Sequence, residues 1–261
     1  MDATVLLAIP LGIAIGLVVG AIGGGGGVLG LPVLIYVLGE PIGPASTASL
    51  IVVAVAASVG AGALALRGHV CWRAALTFAA PAAAGSLLGT IGNNAVSGRV
   101  LILSFVPVML AASMATWQRA ARSAGEETGP CPDPRLGRIV LAGVAVGALT
   151  GFFGVGGGFM IVPVLILGLG FGFRRAVATS LVILTLTGIA GLMSHIAVGA
   201  AMNVPLTVVL SASTGVGAIC GSIVSQRVPQ AVVGRAFAIV VALVALFLLV
   251  DTVLLGGPPG D

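Results

Sequence analysis

The chain has 261 residues, of which 59% are hydrophobic and 7% charged. A soluble domain carries about 25% charged residues, so these few charges could not clothe a water-exposed surface of this size. The net charge of +4 is carried by arginine alone, and no basic patch is interleaved with aromatics, so nothing points to a nucleic-acid partner.

In chain order, the first apolar run covers residues 3–22. No Lys or Arg precedes it, which predicts a retained membrane segment rather than a cleaved secretory signal. Further apolar segments are predicted near 28–39, 46–66, 74–92 and 100–118. A polar stretch at 119–137 follows, and then segments near 139–153, 159–170, 177–197, 204–224 and 236–255. The predicted fold is an all-α polytopic membrane protein. Residues 1–118 form a first transmembrane repeat, 119–137 a linker, and 138–261 a second repeat. The second segment of each set has only about 12 residues, too short to cross a bilayer upright.

The two halves are related at a constant offset of 131. Residues 20–35 read GAIGGGGGVLGLPVLI and residues 151–166 read GFFGVGGGFMIVPVLI, with nine identities in sixteen positions. The same offset pairs Gly39 with Gly170, Ala45 with Ala176, Ser49 with Ser180 and Leu50 with Leu181. Such self-similarity marks a duplicated unit.

Two topologies compete. If the first two segments of each half form one broken crossing helix, the halves are parallel and the arginines divide 5 against 6 between the two sides. If they form a hairpin, spanning or re-entrant, the halves are inverted and every arginine except Arg99 lies on one side, 10 against 1. The positive-inside rule favours the second. It predicts inverted repeats, each with a Gly-rich broken or re-entrant hairpin plus three spanning helices, a cytoplasmic linker, and both termini on the non-cytoplasmic side.

The glycine runs suggest the chemistry. Glycine allows close approach to the backbone, and the first four N–H groups of a helix have no intrahelical partner. With the helix dipole they make a nest for an anion. The candidate substrate-binding residues are therefore Gly24, Gly25, Gly26 and Gly27 in the first run and Gly156, Gly157 and Gly158 in the second. Pro32, in or next to a first helical turn, is repeated by Pro163. Two inverted copies would aim their helix N-termini at one shared site near mid-membrane. The plainer alternative is that the glycines only permit tight helix crossing. The GKS or GKT ending of a soluble phosphate-binding loop is missing from both copies.

Ser46, Thr47 and Ser49 open the third segment, and Thr179 and Ser180 open its counterpart. Ser49 and Ser180, paired by the repeat, are the hydroxyl candidates for an oxyanion, against capping or bonding to the preceding turn. Thr185 and Thr187 read as interhelical contacts. Asn93 and Asn94 read as a polar helix end. His195 lies well inside an apolar run and is a candidate for proton coupling, against a satisfied interfacial role. Asp251 reads as interfacial, His69 as part of a basic orienting loop, and Trp72 and Trp117 as interface anchors. Of the three cysteines, Cys220 reads as packing. Cys71 and Cys131 have no metal-type spacing, and neither a disulfide nor a metal framework is expected. No cofactor is implied, and no intramembrane catalytic set is present: there is no Asp pair, no HExxH and no GxSxG.

The glycine-proline motifs GAIGGGGGVLGLPVLIYVLG and GFFGVGGGFMIVPVLILGLG resemble the duplicated signature of the TauE/SafE family of sulfite-exporter-like permeases. STASLIVV and ATSLVILT, and the stretches GSLLGTIGNNAVSGRVL and GAICGSIVSQRVPQAVVGR, extend the resemblance over nearly the whole chain. It implies movement of sulfite, organosulfonates or related sulfur anions across a prokaryotic cytoplasmic membrane. On matching positions it points to glycines 23–27 and 154–158, Pro32 and Pro163, and Ser49 and Ser180. Val155 stands where the first copy has Gly24, so the two half-sites differ. A secondary anion transporter is the leading expectation. A channel-like anion pathway, an intramembrane enzyme built on serines and His195, and a scaffold without a polar cavity are the alternatives. The partners expected are a small anion and the lipid bilayer.

Overall fold

The structure is a computed structural model; it describes residues 3–24, 29–93, 98–122, 131–153, 158–197 and 203–252. Ten helices make up these residues: α1 (Ala3–Ile22), α2 (Gly30–Pro32, continuing as a π-helical turn over Val33–Val37), α3 (Ile42–Ala65), α4 (Trp72–Asn93), α5 (Gly98–Arg122), α6 (Leu136–Phe153), α7 (Gly158–Leu167), α8 (Phe173–Ala197), α9 (Val204–Arg227) and α10 (Gln230–Val250). By length and composition, four stretches among the described residues suit a membrane crossing: Gly43–Ala65, Phe173–Ala190, Val204–Arg227 and Ala231–Val250. Shorter apolar helices cover Leu6–Ile22, Leu103–Gln118 and Leu136–Phe152. At about 1.5 Å per residue, the ten residues of α7 reach only about 15 Å, half a bilayer core.

The two short helices end in the same way. Gly39 and Gly170, 131 residues apart, have φ of +70° and +74°. Just beyond them, Glu40 N–H donates to the Leu34 carbonyl and Phe171 N–H to the Leu165 carbonyl, both at 3.0 Å. This bond from residue i to i−6, closing over a left-handed glycine, satisfies a carbonyl that a helix end would otherwise leave unpaired. The starts differ. Pro32 is the third residue of α2, whereas Pro163 is the sixth of α7, beyond the first turn.

Packing follows the repeat. Helix α1 lies along α9, and α6 along α4. Gly12, Gly16 and Gly20 of α1 press on α9. Their repeat partners Gly143, Gly147 and Gly151 of α6 press on α4. A Cβ on Gly16 would fall 2.1 Å from the Thr214 carbonyl oxygen, and one on Gly147 would fall 2.0 Å from that of Ala82. Backbone therefore meets backbone, with dispersion and close fit replacing a hydrophobic driving force. Glycines at every fourth position, 12, 16 and 20 in one half and 143, 147 and 151 in the other, are the sequence signal for these crossings.

Two contacts join helices at matching places in the repeat. In the α3–α8 pair, Gly60 lies against Leu181 and Gly188 against Ala54, so these helices run antiparallel. In the α5–α10 pair, Ser113 donates to the Ala238 carbonyl at 2.7 Å and Arg235 lies over the Trp117 ring at 5.7 Å, and these too run antiparallel. The core is rich in alanine and branched aliphatics with Phe78, Phe171 and Phe237 fully buried. Large apolar side chains such as Leu6, Leu76, Leu87, Leu141, Met193 and Leu243 cover the outside, as a lipid-facing surface requires.

Three readings of single residues are corrected. Cys71 and Cys131 form a disulfide, with Cα atoms 5.8 Å apart, although the cysteine count argued against one. The pairing joins the start of α4 to the linker, which local spacing cannot reveal. Cys220 is exposed on α9 rather than packed, on the side of the helix that Val216 and Ile219 also expose. Thr185 and Thr187 donate to carbonyls of their own helix, those of Leu181 and Ile183 at 2.8 and 3.0 Å, rather than joining two helices.

Candidate functional site

The two glycine turns meet. Gly23, with φ of +82°, ends α1 in a conformation that suits a residue without Cβ. The chain then brings Gly24 against Gly158, the first residue of α7. A Cβ on Gly24 would fall 2.3 Å from the Gly158 carbonyl oxygen, and one on Gly158 would fall 2.3 Å from that of Gly24. Gly23, Gly24 and Gly158 are all buried. The N-terminus of α7, with amides that lack intrahelical partners, therefore opens beside the end of α1 from the other half.

Ser180 of α8 ties the turn in place. Its hydroxyl donates to the Val177 carbonyl at 2.8 Å and accepts from Gly24 N–H at 3.4 Å. Both capacities of a buried side chain are thus engaged within the protein. Ser49 takes a different position. It is half-buried on α3, and a Cβ on Gly30 would lie 3.2 Å from its hydroxyl oxygen. So the paired serines both touch a glycine segment, Ser49 within its own half and Ser180 across the halves.

Of the other candidates, Gly25, Gly26, Gly27, Gly156 and Gly157 lie outside the described residues, as does Asn94. His195 falls within α8, and its side chain is likewise outside the description. Thr47 donates to the Gly43 carbonyl at 3.3 Å. Thr179, fully buried, accepts from the Cys71 amide at 3.2 Å. Asp251 is buried against its neighbours, with 4% of its surface exposed, and accepts from the Tyr36 hydroxyl at 2.7 Å. Tyr36 packs edge-on against Phe247. This pair and the Asn203–Glu40 hydrogen bond of 2.9 Å join the two halves at the end of the bundle away from the arginine-bearing loops.

His69 has a neighbourhood that its basic loop did not foretell. It lines an open, shallow recess with Arg174, Ser225 and Gln226 at its polar wall and Ala21 and Val177 at its apolar wall. Arg174 Nη2 donates to the Gln226 backbone carbonyl at 3.0 Å, and Arg67 Nη1 donates to the Gln226 side-chain oxygen. Burial first, and then the charges of Arg174, Arg175 and Arg67, hold the His69 imidazole below its ordinary value. These residues come from the α3–α4 loop, the start of α8 and the end of α9, so no local motif could have announced them. Among the described residues no cluster of His, Cys, Asp and Glu could hold a metal ion.

With this geometry in view, the chain can be compared with known proteins. The family model described as sulfite exporter TauE/SafE matches residues 8–248. Two probable membrane transporter proteins of Xylella fastidiosa, from strains 9a5c and Temecula1, are 28% and 29% identical over 252 residues, covering 94% of this chain and 95% of each relative. A probable membrane transporter protein of Methanocaldococcus jannaschii is 30% identical over 201 residues, 73% of either chain. No solved structure matches the chain.

Proposed function

The chain belongs to the sulfite exporter TauE/SafE family of membrane transporters, and from that premise we propose that it is a secondary transporter for a small sulfur oxyanion such as sulfite or an organosulfonate. The anion binds where the two glycine turns meet, at amides of residues 24–27 and 156–158 and at the N-termini of α2 and α7. The observation that carries this reading is the backbone contact of Gly24 with Gly158. It brings turns 131 residues apart in the repeat to one place, and helix N-termini favour negative charge there. Ser180 accepts from Gly24 N–H, and an arriving anion competes for that amide.

The two halves act as inverted repeats, a reading supported by the antiparallel α3–α8 and α5–α10 pairs and by the one-sided arginines. The arginine-rich face and the linker are cytoplasmic in a prokaryotic inner membrane. In a reducing cytosol Cys71 and Cys131 on that face are thiols, and they pair only under oxidation.

Purified protein in liposomes loaded with sulfite or methanesulfonate tests the function. Efflux above that of protein-free liposomes, inhibited by excess external anion, is expected. Flux no greater than in empty liposomes for every sulfur anion tried, from protein that remains folded, would overturn the assignment.

A further inference from the structure

Three residues that line the recess each carry a buried nitrogen atom without a partner among the described residues: Nδ1 of His69, Nε of Arg174 and the side-chain nitrogen of Gln226. Their orientations are held from behind. Arg67 fixes the Gln226 oxygen, which turns the amide nitrogen the other way, and Arg174 is anchored through Nη2 to the Gln226 backbone. Two of the three are obligate donors, and His69 becomes a third whenever Nδ1 carries hydrogen. Buried donors left without a partner are costly, and the described residues supply no acceptor for these. Among the described residues no carboxylate lines the recess, and Arg174 gives it a positive charge.

We propose that this recess is a second anion-binding site, an entry vestibule in which Arg174, Gln226 and His69 hold the oxyanion before it reaches the glycine turns. The proposal rests on the transport reading above. The path is short. Val177 forms part of the recess wall, its carbonyl accepts from Ser180, and its Cα would lie 3.2 Å from a Cβ on Gly23. Ala21, two residues before Gly23, lies on the same wall. One layer of side chains thus separates the recess from the turn.

The site links anion to proton. The charged groups facing His69 are Arg67 of its own loop and Arg174 and Arg175 at the start of α8; Ser225 and Gln226 of α9 and Val233 of α10 are neutral. An anion lodged between them offsets the guanidinium field and accepts from Nδ1–H, raising the imidazole toward its ordinary value. With its titration held below the ordinary value by burial and the arginines, His69 takes up a proton as the anion binds. Affinity rises as pH falls through the range where the bound-state imidazole titrates.

The test is calorimetric binding of methanesulfonate and of sulfate, anions whose own charge is constant over the range, to the full-length protein in detergent at about pH 8 and about pH 5.5. Liposome flux is measured in parallel. Wild type should bind more tightly at the lower pH. Arg174→Gln and Gln226→Glu should each weaken binding by about tenfold or more, and His69→Gln should remove the pH dependence. Unchanged melting and a single size-exclusion peak identify folded variants. If Arg174→Gln does not fold, the isosteric Gln226→Glu still decides. Wild-type affinity in folded Arg174→Gln or Gln226→Glu overturns the vestibule. If a Gly158→Ala variant nevertheless loses flux, the glycine-turn reading survives that failure. If the wild type neither binds nor moves any anion, both readings fall.

Discussion

Gly24 and Gly158 each occupy the space that the other's side chain would need, with an added Cβ on either falling 2.3 Å from the partner's carbonyl oxygen. The contact is mutual and involves backbone on both sides, so no flexible side-chain end can move aside. Gly24→Ala and Gly158→Ala should each lower stability by about 1–3 kcal/mol, the usual range for overpacking. Both should also depress anion flux. Gly62 in α3 is the control: a Cβ there meets nothing within 4 Å, and alanine favours helix. Thermal melting of the three variants in detergent checks this. Equal melting of Gly158→Ala and Gly62→Ala would refute the tight junction.

The disulfide leads to a chemical prediction. Under oxidising conditions Cys71 and Cys131 are protected by their bond, and Cys220 is free and exposed. A maleimide polymer should add at most once to oxidised protein and gain an adduct after reduction, since Cys131 is exposed. Cys131→Ser should remove the difference at that site. Two or more adducts on oxidised, folded protein would exclude the pairing.

The side assignment is tested separately. A protease site inserted between residues 123 and 130 should be cut in opened vesicles that expose the cytoplasmic face, and left intact in whole cells with a permeable outer layer. Cutting in intact cells would place the arginine-rich face outside. The disulfide would then sit in an oxidising compartment.

Tyr36 and Asp251 join the first half to the last helix. Asp251 is buried, and the Tyr36 hydroxyl donates to it. Removing the hydroxyl leaves a buried carboxylate short of a donor, at a cost of about 1–3 kcal/mol. Asp251→Asn keeps an acceptor for the same hydroxyl. Tyr36→Phe should therefore lower the melting temperature more than Asp251→Asn does. The reverse order would mean that the hydrogen bond does not carry the junction.

The sequence by itself determined which segments are helical and apolar, where the unit repeats, and which loops are basic. These follow from composition within windows of about 20 residues and from a fixed offset. Gly39 and Gly170, already paired at that offset, close the two short helices with the same hydrogen bond. What only the tertiary structure decided are meetings between residues far apart in the chain: Gly24 with Ser180, Cys71 with Cys131, and His69 with Arg174 and Gln226. Each depends on how helices lie against one another. That is set by backbone approach at Gly16 on α9 and Gly147 on α4, and hydropathy carries no record of it.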